Sequence, residues 1–199
     1  MHTIPAPLQI YAYWAIAILI GVLFFRKDIT APNPPFDARR IGLLIFSVII
    51  LALNAYIYSN STTDGGRVLD PWSALIFSIG NGIAETFMFY AVFRLGDKLA
   101  DKLSSDEWRL IPKQSNFFVA LLFFMIYSGL IHGLFWLNIL PEHVVQTSPF
   151  KPFFFPIQLM IALSWALAFF WYRDLRTVFV LHALVDLTMI MNVKFSMFP

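Results

Sequence analysis

Residues 72–93 read WSALIFSIGNGIAETFMFYAVF. This stretch is long enough to cross a bilayer as a helix, because a hydrocarbon core about 30 Å thick needs roughly 20 apolar residues. Its single acid, Glu85, lies well inside the stretch. A charged side chain near the bilayer centre costs about 2.5–3.5 kcal/mol on insertion scales, so such groups are usually paired and functional. Glu85 is therefore the first candidate for a functional site.

The composition indicates a membrane protein. Of the 199 residues, 59% are hydrophobic and 13% are charged, whereas an ordinary soluble domain carries about 25% charged residues. The apolar residues form blocks of helical span length, and alternating strand patterns are absent. We therefore predict an all-α, polytopic helical protein, a single integral membrane domain over residues 1–199 with about six transmembrane helices. The spans are predicted near 8–25, 41–58, 72–93, 116–140, 152–172 and 178–193.

The longest loop, residues 94–114, has a pattern of its own. Leu95, Leu99 and Leu103 recur every four residues with charges between them. This spacing favours an amphipathic helix on the membrane interface after the third span, or a helical extension of that span.

The loop charges set the expected orientation. Eleven Lys and Arg residues lie in the first, third and fifth loops and three on the opposite side, so we expect the odd loops in the cytoplasm and both termini on the non-cytoplasmic side. The basic residues lie in loops, where membrane topology explains them, so the net charge of +2 does not indicate nucleic-acid binding. We therefore expect the lipid bilayer and no nucleic acid as a partner. The absence of cysteine excludes disulfides, thiolate metal sites and a cysteine nucleophile.

Four ionisable residues lie inside predicted spans: Glu85, His132, His182 and Asp186. Each has a polar neighbour four residues away on its own helix. These pairs share one helix face and are Asn81 with Glu85, Ser128 with His132, and His182 with Asp186.

Small residues surround the four, including the patterns Gly80-x-x-x-Ala84 and Gly129-x-x-x-Gly133, which let membrane helices approach closely. At about 1.5 Å per residue, Glu85 and Asp186 lie roughly 12–13 Å from their cytoplasmic span ends. We therefore expect one shared functional site.

The stretches AETFMFYAVFR (84–94), SGLIHG (128–133) and LHALVDL (181–187) resemble the CAAX-protease and bacteriocin-processing family of glutamic-type intramembrane proteases, which includes the type II CAAX prenyl endopeptidases. Family members carry E-E-x-x-x-R, F-x-x-x-H and H-x-x-x-N or H-x-x-x-D motifs in this order. Three positions differ here: Thr86 replaces the second Glu, Tyr90 the Arg, and Ser128 the Phe. Arg94 lies one turn beyond Tyr90 on the same face.

The resemblance implies an intramembrane endopeptidase that hydrolyses a membrane-associated peptide or protein. Glu85 would activate a water with help from His132, while His182 and Asp186 would hold the oxyanion or orient the water. The resemblance implies no cofactor. Asn81, Tyr90, Arg94 and Ser128 are the expected supporting residues.

Three alternatives stay open. A catalytically inactive relative would serve as an accessory subunit of a membrane complex. A binding protein would ligate a metal or tetrapyrrole through His132 or His182, since two acids and two histidines form an acceptable oxygen and nitrogen ligand set. A proton-coupled carrier would use Glu85 and Asp186 as a relay.

Overall fold

The computed structural model describes residues 6–106, 108–138, 144–194 and 196–197, without the side chains of residues 6, 7 and 133–138. The fold is all-α, and the described residues form six helices long and apolar enough to cross a membrane. The protein is thus an integral, multi-pass membrane protein, as the sequence predicts. The helices are α1 (Ala6–Ile29), α2 (Ala38–Ser61), α3 (Pro71–Leu103), α4 (Asn116–Asn138), α5 (Phe154–Tyr172) and α6 (Leu175–Val193).

Capping residues explain why α2, α3 and α6 begin earlier than hydropathy indicates. Asp37 accepts the Arg40 N–H at 2.7 Å, Asp70 the Trp72 N–H at 3.0 Å, and Asp174 the Thr177 N–H at 3.1 Å. A carboxylate at this position satisfies backbone donors that the first helical turn leaves unpaired. The predicted bounds of α4 extend to residues 139 and 140, which lie outside the described residues.

Helix α3 is central, because it packs most extensively on α6 and α4 and also contacts α1, while α2 packs against α5 and α6. Its 33 residues would span about 50 Å, well beyond a hydrocarbon core of about 30 Å. The third loop therefore begins as a helical extension of the third span. The separate interfacial helix, the first alternative for this loop, is not found among its described residues.

The extension remains helical because its Gly96 face packs on α4. A Cβ on Gly96 would come within 2.9 Å of the Ala120 Cα, and Ala100 is fully buried. The predicted apolar stripe points the other way, since Leu95 and Leu99 are exposed. The helix ends at Leu103, with Ser104 as its C-cap.

A buried ion pair joins α2 to α6 at the predicted cytoplasmic end. Arg40 Nη2 lies 2.9 Å from Asp174 Oδ2, and their side chains are only 7% and 5% exposed. Arg40 also donates to the Pro34 carbonyl. Farther along the same two helices, Asn54 donates to Thr188 Oγ1 at 3.3 Å. These contacts fix the position of α6 relative to α2.

Arg40→Met is expected to destabilise the protein by about 3 kcal/mol or more, because it leaves the buried Asp174 carboxylate without its counter-charge. Adding Asp174→Asn removes that charge and keeps a capping oxygen for α6, so the double variant should recover most of the loss. Thermal unfolding in detergent micelles measures both effects. Arg39→Met, at the exposed neighbouring position, is the control. A double variant no more stable than Arg40→Met would contradict this interpretation.

The opposite end of α6 is tied to the loop before α3. Lys194 Nζ lies 2.5 Å from Asp64 Oδ2, and the Gly66 N–H donates to Asp64 at 2.8 Å. The Lys194 ammonium and this N–H lower the pKa of the Asp64 carboxyl. The ion pair therefore links the loop to the end of the last helix.

A lowered pKa in the folded state stabilises the fold at pH values above the ordinary Asp value of about 3.9, and this stabilisation is lost as pH falls through the folded-state pKa. The difference in melting temperature between wild type and Asp64→Asn should therefore be present at pH 7 and shrink as the pH falls below about 4. Asp106→Asn is the control. Its carboxylate also lies near a cation, 3.6 Å from Arg109, but both side chains are exposed, so this pair should contribute little to stability. A difference that grows on acidification would refute the assignment.

Candidate active site between α3 and α6

Helices α3 and α6 bring three of the four predicted ionisable residues into contact. His182 Nε2 lies 3.2 Å from Glu85 Oε2 and 3.7 Å from Asp186 Oδ2. All three side chains are buried. The i, i+4 spacing puts His182 and Asp186 on one face of α6, and that face meets the Glu85 face of α3. An imidazole between two carboxylates is thus built into the interior.

Both ring nitrogens of His182 are engaged. Its Nδ1 lies 3.2 Å from Thr86 Oγ1, and its Nε2 faces Glu85. The ring stacks on Phe89 with centroids 5.5 Å apart and planes 4° apart, and it contacts Trp165 at 4.4 Å. Only 1% of the His182 surface is exposed. These contacts fix the orientation of the ring, and the ring in turn orients the Glu85 carboxyl group.

A chain of hydrogen bonds leads from Asp186 to α1. Asn81 Nδ2 donates to Asp186 Oδ2 at 3.1 Å, and Trp14 Nε1 donates to Asn81 Oδ1 at 3.1 Å. The supporting role predicted for Asn81 thus has a geometric basis. Trp14 was not predicted. The sequence does offer a signal for it, which is a Trp in a largely apolar span. A buried indole N–H usually finds a hydrogen-bond acceptor, so such a Trp indicates a polar partner on another helix.

His132, on α4, is half-buried. Its Nδ1 lies 2.8 Å from the Ser128 carbonyl oxygen and 3.3 Å from Ser128 Oγ. A carbonyl only accepts, so Nδ1 carries the proton that it donates, and the lone pair of the neutral form of the ring is on Nε2. His132 also stacks on Phe89, with centroids 6.3 Å apart. Phe89 therefore lies against both histidines.

One cavity of about 320 Å³ joins Glu85, Asp186 and His132. No hydrogen bond links Glu85 to His132 in the described part of the chain, and the two side chains line the same space. Asn81, Tyr13 and Gln158 are further polar lining residues. His182 contacts Glu85 and Asp186 from outside the lining. The cavity is therefore lined by a carboxyl group and an imidazole ring.

Two of the expected supporting residues lie elsewhere. Tyr90 donates to Asp28 Oδ2 at 2.9 Å, and Arg94 pairs with Asp97 at 2.6 Å. Both contacts lie toward the predicted cytoplasmic end of α3. Ser128 stays in the site through His132.

Sequence reasoning also missed Tyr13 and Gln158, which line the cavity, and the role of Thr86. The Tyr13 hydroxyl lies 3.2 Å from that of Tyr127, so one hydroxyl donates to the other and a second proton remains available. The i, i+4 rule does not reveal Tyr13 or Gln158, because each reaches the site from another helix.

The glycine patterns have different surroundings. A Cβ on Gly82 would lie 2.9 Å from the Ala183 N of α6, and one on Gly80 would overlap the Trp14 ring. By contrast, a Cβ on Gly129 would meet nothing within 4 Å, so Gly129 does not serve a close helix contact. The surroundings of Gly133 lie outside the described residues.

Among the described residues, no group of three or more His, Asp or Glu side chains is arranged to hold a metal ion. His182 has both nitrogens engaged, so a metal or tetrapyrrole bound by these histidines would use His132 Nε2. The carboxyl group and the imidazole that line this cavity suit proton transfer to and from a small molecule such as water.

No family model matches the chain, and neither the curated proteins nor the solved structures contain a significant match.

Gly82→Ala is expected to lower the free energy of unfolding by about 1–3 kcal/mol, because overpacking a close contact forces the backbones apart. The shift would occur between Gly82 and Ala183, next to the Glu85–His182 pair. Gly129→Ala is the matched control and should be neutral or stabilising, since Ala favours helix over Gly by about 0.5–1 kcal/mol. Thermal unfolding of the purified variants measures this. Equal melting temperatures for the two variants would show that the close approach of α3 and α6 at Gly82 does not restrict the size of the residue there.

Proposed function

We propose that the protein is an intramembrane endopeptidase that hydrolyses a peptide bond of a membrane-associated substrate with a water activated by Glu85. The observation that carries this proposal is the position of Glu85. Its carboxylate is held by His182 and borders a cavity that also contains His132. A structural ion pair would need no such cavity.

Glu85 is the general base in this mechanism. It takes one proton from a water whose oxygen attacks the carbonyl carbon of the substrate. His132 Nε2 accepts the other O–H of that water and orients it. When the tetrahedral intermediate collapses, the carbon–nitrogen bond breaks and Glu85 gives its proton to the leaving amine. The products are a carboxylic acid and an amine, and the enzyme returns to its starting state.

Donors that border the cavity stabilise the oxyanion of the intermediate. Gln158 offers an amide N–H, and Tyr13 offers its O–H when Tyr127 is the donor of the hydrogen bond between the two tyrosines. Fixed donors act strongly where water is largely excluded. We assign His182 and Asp186 to positioning, because the His182 ring lies behind Glu85 and Asp186 is tied to Asn81. This differs from the oxyanion role that the family resemblance implies for them.

We further propose that the chain is a divergent member of the CAAX-protease and bacteriocin-processing family, with the odd loops in the cytoplasm and both termini outside. The motif residues Glu85, His132 and His182 converge in three dimensions, which supports this assignment. Thr86, where the family has a second Glu, hydrogen-bonds His182. Tyr90, where the family has Arg, binds Asp28.

A second candidate is a catalytically inactive accessory subunit. The contacts of Thr86 and Tyr90 favour it, since both replacements have become structural. A tetrapyrrole or metal on His132 would fit this alternative, because His132 lines the cavity and only its Nδ1 is engaged by Ser128. The two candidates differ in whether Glu85 is needed for cleavage.

Glu85→Gln is expected to reduce peptide cleavage by 100-fold or more, the usual scale for loss of a general base, while the folded structure persists because Gln keeps the size of the side chain. New peptide termini in membranes of cells that express each variant provide a readout without a known substrate. Asp106→Asn, an exposed acid, is the control and should behave as wild type.

Termini that appear equally with wild type and Glu85→Gln would refute the protease proposal. If co-purifying membrane proteins also stay the same, the accessory function does not depend on Glu85. His132→Ala should then release any bound tetrapyrrole or metal, measured by absorption and elemental analysis.

A further inference from the structure

A second, larger cavity lies between α4 and α5. Its volume is about 940 Å³, at the upper end of the 300–1,000 Å³ usual for ligand sites. His132 and Gln158 line both this cavity and the smaller one. The larger cavity thus adjoins the candidate active site at these two side chains.

The chemistry of its lining changes along α5. Lys151 and Gln146, which are hydrogen-bonded to each other, lie at the end predicted to be non-cytoplasmic. Gln158 follows about 10 Å deeper, near His132 on the facing helix, and Ala162 lies about 6 Å deeper again. The deepest part is apolar, with Met125 and Ile126 on α4. The order is a cation, then hydrogen-bonding groups, then hydrocarbon.

That order matches an amphiphile with an anionic head, a carbonyl linkage and an apolar tail. A membrane-spanning peptide helix would need about 2,400 Å³, for a cylinder about 10 Å wide and about 30 Å long. The cavity is therefore too small for a helix. Lys151 is the one charged side chain among its described lining residues, so the head that it favours is negative.

We propose that this cavity binds an anionic phospholipid of the outer leaflet. One acyl chain occupies the apolar part between α4 and α5, the ester carbonyl lies near Gln158 and His132, and the phosphate lies near Lys151. Charge-assisted hydrogen bonds from an ammonium to phosphate oxygens are stronger than neutral ones. The lipid is a resident ligand, and the proposal holds whether or not the protein is a protease.

Gly129 makes the cavity testable. It lies on the cavity wall, and a side chain there would extend into open space. The series Gly129→Ala, Leu and Phe therefore fills the cavity by steps without a clash at the Cβ. A Cβ on Gly42, on α2, would also meet nothing within 4 Å. Gly42 is not among the residues that line the cavity, so Gly42→Phe is the matched control.

The experiment is native mass spectrometry of delipidated protein in micelles, titrated with phosphatidylglycerol or with phosphatidylcholine of the same acyl chains. Wild type and Gly42→Phe should retain phosphatidylglycerol at least tenfold more tightly than phosphatidylcholine. The Gly129 series should lose this binding progressively, with at least a tenfold loss for Phe. Lys151→Gln should abolish the preference between the two head groups.

Equal binding by wild type and Gly129→Phe would overturn the proposal, and so would equal affinity of the wild type for the two lipids. Glu85→Gln should bind phosphatidylglycerol as wild type does. Since no hydrolysis enters this readout, its result is separate from that of the cleavage experiment.

Discussion

The candidate site depends on how closely α3 and α6 approach each other at Gly82 and Ala183. A Cβ at Gly82 would lie within 2.9 Å of the α6 backbone, so only the absence of a side chain permits the contact. One turn farther along α3, Glu85 reaches His182. A carboxylate within a membrane is costly unless it is paired, and this pairing requires the two backbones to stay close. The close packing of α3 on α6 and the pairing of the Glu85 carboxyl group therefore depend on the same helix contact.

Much of this arrangement follows from local sequence rules. The six spans follow from hydropathy, and the faces that carry Asn81 with Glu85 and His182 with Asp186 follow from the helical repeat. A shared site was expected because the four ionisable groups inside the spans have polar neighbours on their own helices and lie at similar depths. Intramembrane polar residues rarely face lipid, so their number and spacing carry information about tertiary structure.

The rest depends on which helices are neighbours, and spacing along one helix does not reveal that. Trp14 completes the Asn81 contact from α1, a different helix. Gln158 lines the cavity from α5. Arg40 was counted among the loop charges that set the membrane orientation, although it forms a buried ion pair with Asp174. Gly129 has the spacing of a helix contact and borders a cavity instead. A glycine fits both a close approach and an open space, so only the neighbouring helix decides between them.

The pairing of Arg40 with Asp174 has a consequence for how the chain is made. The two residues are 134 positions apart, and ribosomes add about 5–20 residues per second. Arg40 therefore exists for about 7–27 seconds before its counter-charge is synthesised. Glu85 likewise precedes His182, which arrives on the last helix. During biogenesis both side chains depend on water, lipid head groups or the insertion machinery, and the bundle reaches its final electrostatic state only when α6 is inserted.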